Sequence, residues 1–324
     1  MKFVLAMLLI ACPLVARADD APAPAAPAPA AAAAGNALPT DASLLEGATD
    51  GYADNAGVKL HYVSIGQGPL LVFIHGFPDF WYSWRHQMKE LSKDYQCVAF
   101  DQRGFNLSDK PSGVDNYAIE KLVSDVLAVV KACGKEHATI IGHDWGGFVA
   151  WWTAAFQPAL VDRLIICNLP HPKGLSRELT NNPEQQKMSE YAQAFRRPDA
   201  AKSIDKDFLA TMPAGQDKAA FPAFRAAMAK SDLEGMLNFY KANYPAAPYK
   251  EDERDVPKIQ APVLEFHGLK DPALHSHALN NTWEHINNTF TLVTLPEAAH
   301  WVQSDAPELV TQTIADWLRR NPAP

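Results

Sequence analysis

Between residues 69 and 170, four short runs are apolar almost throughout and end in a glycine or a polar residue. They read "PLLVFIHG", "YQCVAFD", "ATIIGHD" and "VDRLIICNLP". A run without polar/apolar alternation suits a strand buried on both faces. Helical stretches separate these runs, at about 80–93, 116–133 and 146–157. Such alternation builds an α/β domain: a mostly parallel sheet with helices on both faces. A half-exposed strand, "VKLHYVSIG", precedes the first run. From 171 to 255 the pattern is helical and richer in charge, with no strand runs. "APVLEFHG" and "FTLVTLP" then resume the strands, each expected to lead into a helix. The expected organisation is therefore a core of 51–170 and 256–324 carrying an inserted helical cap, 171–255.

The N-terminus reads differently. Met1-Lys2, an apolar stretch from Phe3 to Val15, and Ala16-Arg17-Ala18 form a secretory signal over 1–18 with a small-residue cleavage site. Cys12 also fits a loose lipobox, but apolar residues continue beyond it. Residues 19–50 read as an Ala/Pro-rich linker, most extreme over Asp19–Pro39, where proline favours an extended, unpacked chain. Cleavage after Ala18 would remove Lys2 and Arg17 and take the net charge from -8 to -10. The expected location is the periplasm or the exterior, with no stable membrane insertion. A negative chain without a basic cluster excludes nucleic acid as the natural partner. Cys97, Cys133 and Cys167 are expected to be buried free thiols; their odd count allows at most one disulfide, and no C-x-x-C spacing suggests a metal site. The sequence carries no signature of a particular oligomeric state.

In sheets of this kind ligands bind beyond the carboxyl ends of the strands. His75, Asp101, Asp144, Asn168, Asp271 and His300 collect at those ends. Asp144 stands out, because "GHDWGG" is a Gly-x-nucleophile-x-Gly frame between a strand and a helix, with a carboxylate where esterases carry serine. No G-x-S-x-G or G-x-C-x-G occurs in the chain. A helix N-cap is the bland reading of such an aspartate. The downstream order of Asp271 and then His300 favours a nucleophile, acid and base. His143 should face away from Asp144 and pack. His275 and His277 form an H-x-H pair, for which a solvated turn is preferred over a metal site. Phe77, Trp145 and Trp81 suggest an apolar pocket wall, with His75 and Pro78 in the adjoining "HGFP" turn.

The ordered set "HGFPDFWYSWR", "DQRGFNLSDKP", "GHDWGG", "NLPHP", "GLKD" and "AAHWVQSDAPELV" resembles the α/β-hydrolase-fold epoxide hydrolases over roughly 57–318. The resemblance implies hydrolysis of a small apolar epoxide to a vicinal diol through an alkyl ester on Asp144. His300, oriented by Asp271, would activate water, and the backbone N–H groups of Phe77 and Trp145 would form the oxyanion hole. It also implies two ring-opening phenols on the cap, matched by "YAQAFRRP" at Tyr191 and "NFYKANY" at Tyr240. No cofactor or metal is implied. Asn106 departs from the family, which usually has glycine in that turn.

The same frame serves haloalkane and haloacid dehalogenases. Phe77 stands where the former usually hold halide with Asn or Trp, and no arginine follows Asp144-Trp145 to hold an acid. A secreted, non-catalytic interaction protein is the reading from a different class, and it would predict a broken triad.

Overall fold

The computed structural model describes residues 40–215 and 217–323. The expected signal segment and the most Ala/Pro-rich part of the linker lie outside them. Eight strands form one sheet: β1 (Thr49–Asn55), β2 (Val58–Ile65), β3 (Leu70–Ile74), β4 (Gln96–Phe100), β5 (Ala138–His143), β6 (Val161–Cys167), β7 (Val263–Gly268) and β8 (Phe290–Leu295). Their order is β1-β2-β4-β3-β5-β6-β7-β8. β1 and β2 are antiparallel to each other, β2 is antiparallel to β4, and all other pairings are parallel. Every residue of β3, β5 and β7 is buried, as expected for strands covered on both faces.

The helices of the core are α1 (Arg85–Leu91), α2 (Ile119–Ala132) and α3 (Trp145–Phe156) before the cap. The cap contains α4 (Pro172–Asn181), α5 (Pro183–Met188), α6 (Glu190–Phe195), α7 (Lys206–Ala214), α8 (Phe221–Lys230) and α9 (Leu233–Asn243). The chain closes with α10 (Val302–Asp305) and α11 (Pro307–Arg320). The β3–α1–β4 step moves one way along the sheet, and β4–α2–β5 and β5–α3–β6 move the other way. Right-handed crossovers therefore put α1 on one face and α2 and α3 on the opposite face. α1 packs with α11, and α2 with α3. α2 shows why such segments are helical: Ile119, Leu122, Val123, Val126, Val129 and Val130 recur at three- and four-residue spacing and are its buried apolar stripe.

Three expectations are corrected. The linker does not extend to 50. Asp41 and Ala42 donate their N–H groups to Asp50 Oδ1 at 2.7 and 3.0 Å, Ala42 and Leu45 are buried, and β1 begins at Thr49. β1, "TDGYADN", escapes a pattern search because it is an edge strand in which only Ala53 is buried. The expected helix at 80–93 starts as a 3₁₀ turn, Trp81–Trp84, before α1. After β7 the chain makes short 3₁₀ turns at Ser276–Leu279 and Thr282–His285 instead of an α-helix. Cys97, Cys133 and Cys167 are free, and the first and last are buried. No helix among the described residues is long and apolar enough to cross a membrane.

Asn106 takes φ +37°, a left-handed conformation that glycine usually supplies and asparagine tolerates better than most residues. Its amide Nδ2 donates to Asp101 Oδ2 at 2.9 Å and to Asp41 Oδ2 at 2.7 Å. The departure from glycine thus ties the turn to the segment preceding β1.

Candidate active site

β5 runs directly into α3 through a turn at Asp144, which has φ +51° and ψ -121°. The flanking glycines are required by space. A Cβ on Gly142 would stand 2.3 Å from Gly146 O, and one on Gly146 would stand 2.1 Å from Ile74 O. The turn lifts the carboxylate out of the strand line and places it at the N-terminus of α3. There the first N–H groups lack partners within the helix, and the dipole favours an anion. Phe77 N donates to Asp144 Oδ1 at 2.8 Å.

His300 follows β8, and Asp271 follows β7. His300 Nδ1 lies 2.8 Å from Asp271 Oδ2, and His300 Nε2 lies 3.5 Å from Asp144 Oδ2. All three residues are buried. Asp271 is held in turn: Asn168 Nδ2 donates to its Oδ2 at 2.7 Å, and the N–H groups of Ala273 and Leu274 donate to Oδ1. Burial works against a charged His300, but the Asp271 and Asp144 carboxylates outweigh it and raise the imidazole pKa to about 10. Burial would also raise the Asp271 carboxyl, yet the His300 charge and the hydrogen bonds bring it down to about 2. Asp144 is likewise lowered, against its burial, chiefly by His300. The resting site is thus an imidazolium between two carboxylates.

His143 is buried, and its Nε2 lies 2.9 Å from His300 O, a contact that requires the proton on Nε2. Its role is therefore more than packing, because it anchors the main chain of His300. Burial, then the charge on His300, lowers its pKa to about 3 and keeps it neutral.

Asp144 opens into a cavity of about 280 Å³. Its apolar wall includes Trp145, Phe148, Leu169, Leu175, Leu179 and Leu274. The cap contributes Tyr191 from α6 and Tyr240 from α9 to the same cavity. Their rings are 6.1 Å apart, edge to face, and the Tyr240 ring stands 5.0 Å from Trp145. Burial raises both phenols well above their ordinary pKa, aided by neighbouring tyrosines and the Asp144 charge. Both phenols stay protonated.

The structure brings Asp144, His300, Asp271, Tyr191, Tyr240 and the N–H of Phe77 to one place. Trp145 opens α3, and its side chain lines the cavity. The expected wall residues Trp81, His75 and Pro78 are not in the lining. Trp81 is fully buried, and its main-chain N–H donates to Asp101 Oδ1 at 3.1 Å. His75 Nε2 accepts from Gln102 N at 3.0 Å, so it ties two strand ends together. Pro78 is buried in the turn after Phe77. The Phe77 ring packs on Phe195 and Tyr240, and its site contribution is the backbone N–H. Sequence reasoning missed Tyr244, Phe148 and Leu274 as walls. Phe148 lies on α3 one turn after Asp144, a helical spacing from which it was open to detection.

Residues 69–307 match the family model described as alpha/beta hydrolase fold. The chain is 34% identical to epoxide hydrolase 1 of Caenorhabditis elegans over 86% of its own length and 72% of that protein. It is 33% identical to the AB hydrolase superfamily protein YfhM of Bacillus subtilis, over 85% of this chain and 99% of that protein. An inhibitor-bound crystal structure of the Bacillus megaterium epoxide hydrolase superposes with a TM-score of 0.77 at 32% identity, covering 83% of this chain and all of that one. With its buried aspartate–histidine–aspartate array, its helical insertion and these relatives, the chain belongs to the epoxide hydrolases of the α/β-hydrolase fold.

Proposed function

We propose that this enzyme hydrolyses small apolar epoxides to vicinal diols, with Asp144 as covalent nucleophile. The observation that carries the reading is a buried, ionised carboxylate at a strand–helix elbow, opening into the cavity that two protonated phenols also line. Oδ1 of Asp144 is held by Phe77 N–H, which leaves Oδ2 to attack an epoxide carbon. The breaking C–O bond takes a proton from Tyr240 or Tyr191, so the oxygen leaves as a hydroxyl and not as a strongly basic alkoxide.

Ester formation removes the Asp144 charge. One of the two anions that hold the His300 pKa at about 10 is then gone, and the imidazole loses its proton more readily. That proton balances the one given up by the phenol. Neutral His300, oriented by Asp271, deprotonates a water that attacks the Asp144 carbonyl carbon. Negative charge develops on Oδ1, where the N–H of Phe77 already points; the first N–H of α3, from Trp145, would supply the second donor that the family resemblance implies. Collapse breaks the bond from the carbonyl carbon to Oδ2: the departing diol oxygen takes a proton from His300, and the carboxylic acid left behind returns its own, which restores the carboxylate and the imidazolium.

The test is a panel of epoxides and haloalkanes, read by diol and by halide. Diol formation, with oxygen from the Asp144 carboxylate in the product of a single turnover in heavy-oxygen water, supports the reading. Halide release without diol would replace it with dehalogenation. Export to the periplasm or beyond is part of the proposal and rests on the signal pattern ending at Ala16-Arg17-Ala18. N-terminal sequencing of exported protein checks that part, with Asp19 as the expected first residue.

A further inference from the structure

The loop that carries Asp271 continues between two helices of the cap. Gln185 on α5 donates from Nε2 to Ala273 O and accepts at Oε1 from His275 N, both at 2.8 Å. Arg177 on α4 donates to His277 O at 2.8 Å and to Asn280 O at 3.0 Å. These bonds fix the main chain of the loop against the cap and turn two imidazoles toward two carboxylates. One ligand atom from each of Glu178, His275 and His277 lies within 4.8 Å of the others. A second cap carboxylate adjoins His275, with Glu184 Oε2 3.0 Å from His275 Nε2.

We propose that Glu178, His275 and His277, joined by Glu184, bind one divalent transition-metal ion of the zinc class. The site lies outside the reaction cavity and ties the cap to the acid loop. Two imidazoles and two carboxylates are a borderline donor set that suits zinc in tetrahedral geometry and disfavours magnesium and calcium, which take oxygen ligands. The cluster is looser than a closed metal centre, and binding draws it together. The side chains able to move are those on the surface: His277 is exposed, and the Glu184 side chain is 78% exposed. Glu178 is the better-held ligand, with Arg177 Nε on Oε1 at 3.0 Å and Asn182 Nδ2 on Oε2 at 2.9 Å. Each of those oxygens keeps a lone pair for a metal.

Two features oppose binding. Coordination through His275 Nε2 moves its proton to Nδ1 and gives up the 3.2 Å contact from His277 N to Nδ1. That contact lies on an exposed turn, where water can replace it. Arg177 repels a cation, but its guanidinium is already directed at Glu178 and two main-chain carbonyls.

The experiment uses the full chain without a histidine tag, titrated with Zn²⁺ against a chromophoric chelator, with melting temperature followed in parallel. The expected result is one ion per chain, a melting temperature several degrees higher with Zn²⁺, and no such rise with Mg²⁺ at the same concentration. His277→Ala and Glu178→Gln should each weaken binding at least tenfold while melting like the parent protein in the absence of metal. His277 is exposed, so its variant tests the site even if Glu178→Gln disturbs α4. No binding, or binding that neither variant weakens, overturns the proposal. Several weak ions per chain with no rise in melting temperature would identify adventitious surface binding and overturn it equally.

Discussion

The N–H of Phe77 donates to Oδ1 of Asp144, not to Oδ2, at 2.8 Å. That single bond divides the labour within one carboxylate. In the proposed mechanism one oxygen is held where charge develops, and the other, Oδ2, faces His300 Nε2 at 3.5 Å. Asp144→Asn keeps the shape but replaces the anion with a neutral amide, so alkylation by an epoxide should fall to background. Intact-protein mass spectrometry checks it: a variant that still gains one substrate mass as fast as the parent would displace Asp144 from its role.

His300→Gln should leave ester formation largely in place and block ester hydrolysis. The alkyl-enzyme then accumulates, visible as a mass increase of one substrate per chain. If the variant is folded yet shows no adduct with a reactive epoxide, His300 acts earlier than proposed.

Tyr191→Phe and Tyr240→Phe should each slow ring opening, and the double change should slow it by ~10²–10⁴-fold, the usual worth of general acid catalysis. Either ring keeps its packing without the hydroxyl, so stability should change little. Pre-steady-state alkylation rates decide the matter, and an unchanged rate in the double variant would falsify the ring-opening assignment.

Asn168→Gly keeps the φ of +44° at this position and removes the amide that donates to Asp271. A hydrogen bond to a charged group is worth about 1.5–3 kcal/mol, so the ester-hydrolysis step should slow roughly tenfold or more. Alkylation should be less affected. Equal losses in both steps would show that Asn168 supports the fold as a whole instead of orienting the acid.

The triad also sets a pH dependence of stability. His300 binds its proton more tightly in the fold, with a pKa of about 10 against an ordinary 6.5. Its contribution is therefore whole below pH 6.5 and is lost as pH rises through about 10. Asp271 works in the opposite sense: its contribution is present above pH 3.8 and is lost as pH falls towards about 2. Denaturant unfolding between pH 6.5 and 10 should show the parent protein losing stability faster than His300→Gln. Parallel curves would mean that the imidazolium does not contribute.

What the sequence alone determined was local and periodic. Runs such as "LLVFI" have no polar face to offer water, so they are interior strands wherever the chain goes. The Gly142 and Gly146 frame around Asp144 follows from a turn too tight for side chains, and the chain order of Asp144, Asp271 and His300 follows from their places after β5, β7 and β8, at the carboxyl ends of parallel strands. Tertiary structure decided the rest. β1 was hidden because an edge strand with one buried residue carries no hydrophobic signature. Trp81 and Phe148 look alike as aromatics, yet one is core and the other cavity wall, since that depends on what the cap leaves uncovered. The H-x-H pair read as a solvated turn because Glu178 lies about a hundred residues away, and only the docking of α4 and α5 on the acid loop brings the carboxylates beside it. Protonation was equally beyond the sequence. The charge on His300 depends on two carboxylates held within 3.5 Å in a buried site, and that proximity exists only in the fold.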